Sequence, residues 1–169
     1  LHVSTDEVYG SIDVGSFAES DALAPSSPYS ASKAASDLIA LSYHRTHGLP
    51  VVVTRSTNNY GRFQFPEKVI PLFTTKLLRG EQIPLYGDGQ NVRDWCHVYD
   101  NCDAVDLVLR EGEVGGIYNI GSGNELTNRE LTVSLLELCG AGEDRIRLVE
   151  DRPGHDRRYS VDTTRIRAL

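Results

Sequence analysis

The sequence contains no methionine, a single tryptophan and only three cysteines. It also lacks any apolar run near the roughly 18 residues that a membrane-spanning helix needs, and its opening residues lack the charged and apolar pattern of a secretory signal. Cys96, Cys102 and Cys139 are odd in number and show no CxxC spacing. A disulfide framework or cysteine-held metal is therefore not expected, and free thiols in a reducing cytoplasm are. Positive charge is scarce as well: 17 Lys and Arg stand against 24 Asp and Glu, a net charge of −7. No basic excess exists to neutralise a phosphate backbone, so nucleic-acid binding is excluded as a general role. A single phosphorylated ligand, which needs only a few placed cations, is not.

What is present is ordinary for a globular chain: 169 residues, 40% hydrophobic and 24% charged. That suffices for one domain with a real core. The chain opens on Leu1-His2-Val3-Ser4 as though already inside a strand, and closes on Arg165-Ile166-Arg167-Ala168-Leu169 as a helix in progress. Both ends are read as cuts, and function is read for a longer parent.

The pattern along the chain is α/β. Leu1 to Ser4 is strand-like, and Tyr9 to Ala24 is a polar, Gly/Ser-dotted loop. Ser26-Ser27-Pro28 offers cap residues and a first-turn proline, and Gly48-Leu49-Pro50 ends the helix between them. Val51 to Arg55 is a β-branched run short enough for a buried parallel strand. Strand, loop, helix and strand make a βαβ unit, hence the C-terminal part of a Rossmann-like, doubly wound parallel sheet. Residues 1–60 are assigned to that sheet, and 61–169 mainly to a smaller α/β substrate-binding lobe with strands free to return to it. In the second part, helices are expected over Val69–Leu78 and Asp100–Leu109, and from a Thr127/Glu130 capping box through Cys139. Extended segments are expected over Val92–Val98, Gly116–Ile120 and Arg145–Val149, with a turn at Gly87-Asp88-Gly89.

Two clusters carry chemistry. Tyr29 and Lys33, four apart on a helix, share one face. An ammonium beside a phenol favours the phenolate and lowers its pKa from about 10, which suits proton abstraction coupled to hydride transfer. Such a pair also arises by chance on surface helices; here it opens a capped helix between two strands. The second cluster, Thr5-Asp6-Glu7, lies at the C-terminal end of the first strand, the edge where open parallel sheets bind ligands. Adjacent carboxyls in unequal surroundings hold different protonation states, one acid and one base. An isolated acidic turn is the bland alternative. Strand alternation would send Asp6 away from Thr5 and Glu7, so one shared pocket requires the chain to leave strand geometry near Thr5.

Together with Ser4-Thr5-Asp6-Glu7-Val8-Tyr9-Gly10 and Tyr29-Ser30-Ala31-Ser32-Lys33, further motifs run through the chain in order. They are Asn58-Asn59-Tyr60-Gly61, Phe65-Pro66-Glu67-Lys68, Leu85-Tyr86-Gly87-Asp88-Gly89, Arg93-Asp94-Trp95, Tyr118-Asn119-Ile120-Gly121 and Asp151-Arg152-Pro153-Gly154-His155. The whole resembles the dTDP-glucose 4,6-dehydratase branch of the extended short-chain dehydrogenase/reductase family. The Tyr/Lys pair marks the superfamily; Thr-Asp-Glu is more specific, since relatives that epimerise or decarboxylate commonly lack the aspartate.

The resemblance implies NAD as cofactor, dTDP-glucose as substrate and a homodimeric parent. It implies Tyr29 with Lys33 as the redox pair, Glu7 as base at C5, Asp6 as acid at the C6 hydroxyl and Thr5 on the C4 oxygen. Ser4, Tyr29, Lys33 and Asn59 are implied on the cofactor side. Thr5, Asn58, Glu67, Lys68, Pro84, Leu85, Tyr86, Arg93, Asn128, Asp151, Arg152 and His155 are implied on the substrate side. Bland alternatives are an Asn-rich turn for 58–59, a purely helical role for Asn128 and a solvated charged loop for 151–158. Trp95 is read as packing, and His44 and His47 as helix-end residues without a third metal ligand. Arg62 departs from the proline that many relatives have there. No Gly-x-x-Gly-x-x-Gly loop occurs, so residues 1–169 alone are expected neither to bind NAD nor to turn over. The rivals are another nucleotide-sugar dehydratase or epimerase of the family, and a catalytically silent binding protein.

Overall fold

The computed structural model describes all residues 1–169, and its elements alternate as an α/β fold. Strand β1 (His2–Thr5) passes directly into a 3₁₀ turn over Asp6–Tyr9. Helix α1 (Pro28–His47) starts with a reciprocal capping box between Ser27 and Ser30, with Pro28 in the first turn, and stops at Gly48, whose φ of 67° is left-handed. Strands β2 (Val53–Ser56) and β3 (Asn58–Tyr60) follow, then α2 (Val69–Leu78), β4 (Ile83–Tyr86), β5 (Val92–His97) and α3 (Val98–Glu111). The remainder comprises β6 (Ile117–Ile120), β7 (Glu125–Thr127), α4 (Asn128–Leu138), β8 (Ile146–Val149) and α5 (Thr164–Arg167). Thr127 and Glu130 form the expected capping box.

Three sheets result. The first, ordered β1-β2-β6, is parallel throughout, with Thr5 beside Ser56 and Ser56 beside Ile120 at its C-terminal edge. The second pairs β3 parallel and β7 antiparallel to β5; the third pairs β4 with β8 in parallel. β6 thus joins the first sheet from far beyond residue 60.

Burial sets where these layers meet. Val52, Val108, Tyr118, Ile120 and Ile166 close one side of the first sheet. Phe73, Leu77, Ile83, Trp95, Leu131, Leu135 and Leu136 form the larger core of the second half. Each such aliphatic or aromatic side chain contributes about 1.5–3 kcal/mol relative to exposure. Val8, Tyr9 and Ala34 make a small cluster that seats the 3₁₀ turn on α1.

The differences from sequence expectation have local causes. β2 begins at Val53 rather than Val51, since the ladder to β1 starts at the His2–Val53 pair. β3, β4 and β7 carry no readable period at three or four residues, and Pro84 inside β4 is tolerated because that strand pairs on one side only. All three cysteines are free, and no helix is long and apolar enough to cross a membrane. His44 Nδ1 lies 2.9 Å from the Leu49 carbonyl, at the helix end.

Candidate active site

The chain leaves strand geometry immediately after Thr5, whose φ and ψ of −144° and 151° are the last extended pair. Thr5 then acts as the cap of the 3₁₀ turn. Its Oγ1 accepts the Glu7 N–H at 3.3 Å and donates to Asp6 Oδ1 at 3.2 Å. This turn gives the two carboxyls unequal surroundings. Asp6 is 3% exposed and its Oδ2 has no hydrogen-bond partner. Burial, followed by the charge of Glu7, pushes its pKa up to about 7, against opposing pulls from the Thr5 hydroxyl and Arg93. Glu7 is half-buried and faces a cleft. Its pKa is also raised by burial, but Arg93 is the first influence opposing the rise. One carboxyl is poised near neutral pH, and its neighbour is steadied by a guanidinium.

Tyr29 sits one residue inside the start of α1 and lines the same cleft. The expected lowering of its pKa by Lys33 is corrected here. Burial, then Glu7, then Asp6 raise the phenol above its ordinary value. Lys33 Nζ instead donates to the Val3 carbonyl at 2.6 Å, tying α1 to β1.

The cleft has a volume of about 670 Å³. It brings together Glu7, Tyr29, Asn58, Glu67, Lys68, Pro84, Leu85, Tyr86, Arg93, Asn128, Arg152 and His155. Ser4, Thr5, Asp6, Lys33, Asn59 and Asp151 lie outside its lining. Asp151 supports the wall indirectly, with its Oδ1 2.6 Å from His155 Nδ1. Arg152 stands 5.2 Å above the Tyr86 ring and its Nη2 lies 3.2 Å from His155 Nε2. Ser4 Oγ and Asn59 Oδ1 are shielded from solvent without a hydrogen-bond partner. Asn128 both lines the cleft and opens α4, so its helical and site positions coincide.

Three cations, Lys68, Arg93 and Arg152, therefore line one cleft in a chain of net charge −7. That concentration suits a phosphate-bearing ligand. Arg93 is 6% exposed and held by the Val92 and Asp156 carbonyls at 2.7 and 2.8 Å, with its guanidinium 4.0 Å from the Tyr159 ring centroid. Sequence reading missed Tyr159, which lines the cleft and donates to Asp156 at 2.8 Å, because no motif surrounds it. Trp95 belongs to the core, as expected, yet one side of it also forms cleft wall beside Phe73 and Thr132.

A family model described as GDP-mannose 4,6 dehydratase matches residues 1–169. The chain belongs to the GDP-mannose 4,6-dehydratase family. Among its family relatives, a dTDP-glucose 4,6-dehydratase from an Actinoplanes species is 64% identical over 98% of this chain and 52% of the relative. The Streptomyces niveus dTDP-glucose 4,6-dehydratase is 60% identical over 99% of this chain and 50% of the relative. A dTDP-glucose 4,6-dehydratase from Streptomyces venezuelae, solved with NAD bound, superposes with a TM-score of 0.98 at 60% identity, covering 99% of this chain and 52% of that one. A UDP-glucose 4-epimerase from Thermus thermophilus, also in complex with NAD, gives 0.90 at 32% identity, covering 99% and 56%. The chain spans about half the length of the curated relatives it matches.

Proposed function

We propose that this chain supplies the catalytic groups of an NAD-dependent dTDP-glucose 4,6-dehydratase, and that the full-length protein converts dTDP-glucose to its 4-keto-6-deoxy product. The observation that carries the reading is the buried Asp6 with a pKa near 7 beside the cleft-facing Glu7. Loss of water needs an acid and a base side by side; a plain oxidoreductase needs neither. Identities of 60–64% to relatives named dTDP-glucose 4,6-dehydratase support the substrate.

Ser4 Oγ and Asn59 Oδ1 fit a cofactor, since both are shielded polar atoms that lack a partner. With Tyr29 and Lys33 they would hold the nicotinamide end; no glycine-rich phosphate loop lies among these residues. NAD+, when bound, supplies the hydride acceptor and donor. Tyr29 takes the C4 hydroxyl proton, and its raised phenol must first be lowered, for which Lys33 is the cation on the same helical face. The resulting 4-ketone acidifies C5. Glu7 removes the C5 proton while protonated Asp6 gives its proton to the C6 hydroxyl, which leaves as water. The hydride taken from C4 would return to C6, and C5 is reprotonated, which completes the 4-keto-6-deoxy product. Thr5, bonded to Asp6, contacts the C4 oxygen. Lys68, Arg93, Asn128, Arg152 and His155 bind the nucleotide diphosphate, and Asn58, Glu67, Pro84, Leu85 and Tyr86 the remainder of the nucleotide sugar.

In this reading residues 1–60 with β6 form the cofactor half, and most of 61–169 the substrate lobe. The working form is a cytoplasmic homodimer; Leu38, Ile39 and Tyr43 on α1 are each more than half exposed and offer an apolar face for a second copy. The test is product analysis of the full-length protein with dTDP-glucose and UDP-glucose. A 4-keto-6-deoxy product from the dTDP sugar is expected; loss of water from the UDP sugar alone would overturn the assignment.

A further inference from the structure

A line of buried polar side chains lies outside the cleft lining. Asp37, Arg55, Tyr9 and Asn119 are 0, 2, 1 and 0% exposed. Arg55 is the centre: its Nε donates to Asp37 Oδ2 at 2.9 Å and an Nη donates to the Tyr9 hydroxyl at 2.7 Å. The Tyr9 hydroxyl in turn donates to Asn119 Oδ1 at 2.9 Å, and Asn119 Nδ2 donates to the Phe17 carbonyl at 2.9 Å. At the other end His2 Nε2 lies 3.0 Å from Asp37 Oδ1.

The geography of this line is informative. Asp37 follows Lys33 by one helical step of four, as Lys33 follows Tyr29, so all three lie on the same side of α1. Tyr9 is the last residue of the 3₁₀ turn that carries Asp6 and Glu7. Arg55 comes from β2 and Asn119 from β6. The line therefore connects the redox helix to the acid–base turn through Arg55 of β2, and anchors the far side of the turn to Asn119 of β6.

Such an arrangement is costly unless complete. Every member loses water on folding, and a buried polar group left unpaired is penalised. Tyr9 could be held by its stacking on Phe17, at 5.0 Å between centroids, and by packing on Val8 and Ala34 alone. Its hydroxyl is instead engaged both as acceptor and as donor. A planar guanidinium that bonds two different elements at once also fixes their separation and direction.

We propose that Asp37, Arg55, Tyr9 and Asn119 form a positioning strut that holds the Asp6/Glu7 turn in register with the Tyr29 helix. None of the four touches the substrate. They act through the turn, so elimination is more sensitive to them than oxidation. The proposal rests on the dehydratase reading for its kinetic signature but not for its structural one.

The test is Tyr9→Phe in the full-length enzyme, which removes one oxygen and keeps the ring. Hydrogen exchange at the amides of residues 7–10 is expected to quicken by about tenfold, while α1 amides stay as they were. During turnover of dTDP-glucose, KM is expected to change by less than about twofold and kcat to fall by about tenfold. The absorbance of reduced nicotinamide should build up, because the elimination step has become the slow one. Arg55→Lys keeps a cation against Asp37 but loses the two-point reach, and it decides the matter with the same signature if Tyr9→Phe does not fold. Unchanged exchange in the turn, or oxidation and elimination slowed by one common factor, would overturn the strut. A wild-type enzyme that dehydrates no nucleotide sugar would sink the functional reading instead, and the exchange measurement would still decide this one.

Discussion

The turn at Thr5–Tyr9 and the loop at Asp151–Arg158 both present charged side chains at the cleft, and they are built in opposite ways. In the turn, Asp6 is buried, Thr5 caps the backbone, and Tyr9 is fixed to Arg55 and Asn119. The loop is largely exposed and holds itself by local polar contacts: Asp151 with His155 at 2.6 Å, and the exposed ion pair of Arg157 with Asp88 at 2.9 Å. The difference teaches where precision is needed. An acid and base must sit within a fraction of an ångström of the atoms they serve, and burial supplies both the rigidity and the shifted pKa. A nucleotide diphosphate tolerates adjustment, and exposed cations bind it at little cost when the site is empty.

Four experiments press on this contrast. The largest effect is expected for Glu7→Gln, which removes the proposed base while preserving shape. Dehydration turnover should fall by about a thousandfold with KM nearly unchanged, read by steady-state kinetics of the full-length enzyme.

Next is the stability of Asp6→Asn. The folded-state pKa of Asp6 is raised from 3.8 to about 7, so between those values the unfolded chain gives up a proton that the folded chain keeps. The wild type therefore loses stability as pH rises from about 4 to about 7, and little more above that. Asn cannot ionise and still accepts the Thr5 hydrogen bond. The variant should be more stable than wild type by on the order of 1–3 kcal/mol at pH 8 and nearly equal at pH 4, seen as a pH-dependent gap in Tm. A gap of the same size at both values would mean that the Asp6 carboxyl is not strained by burial.

Arg152→Ala should raise KM for dTDP-glucose by about tenfold, with kcat changed by less than about twofold. A loss confined to kcat would place the loop with the turn and break the comparison. The smallest effect is expected for Arg157→Ala, whose only ion pair is the solvent-exposed one with Asp88. Both Tm and KM should stay within experimental scatter.

Much of this was legible before the structure, for definite reasons. The caps of α1 and α4 are short-range patterns: Ser27 to Ser30, Thr127 to Glu130, and Gly48 past the helix end. The Thr5-Asp6-Glu7 triplet and the Tyr29/Lys33 pair are short-range motifs, and strand alternation required a break near Thr5 if all three residues of the triplet were to serve one pocket. What was not legible depends on distance along the chain. The Tyr9 contacts to Arg55 and Asn119 join residues 46 and 110 positions apart, and no periodicity records them. The engagement of Lys33 with the Val3 carbonyl has the same character, and burial, Glu7 and Asp6 set the direction of the Tyr29 pKa against the expected one. Tyr159 entered the cleft from a stretch without any motif.

The central claim is that oxidation and elimination are carried by separate groups, Tyr29 with Lys33 and Asp6 with Glu7. The most direct measurement mixes full-length Asp6→Asn/Glu7→Gln enzyme with dTDP-glucose in a stopped-flow cell, with nicotinamide absorbance and sugar products followed together. Reduced nicotinamide should appear with little or no 4-keto-6-deoxy product. Dehydrated product formed at the wild-type rate would contradict the claim.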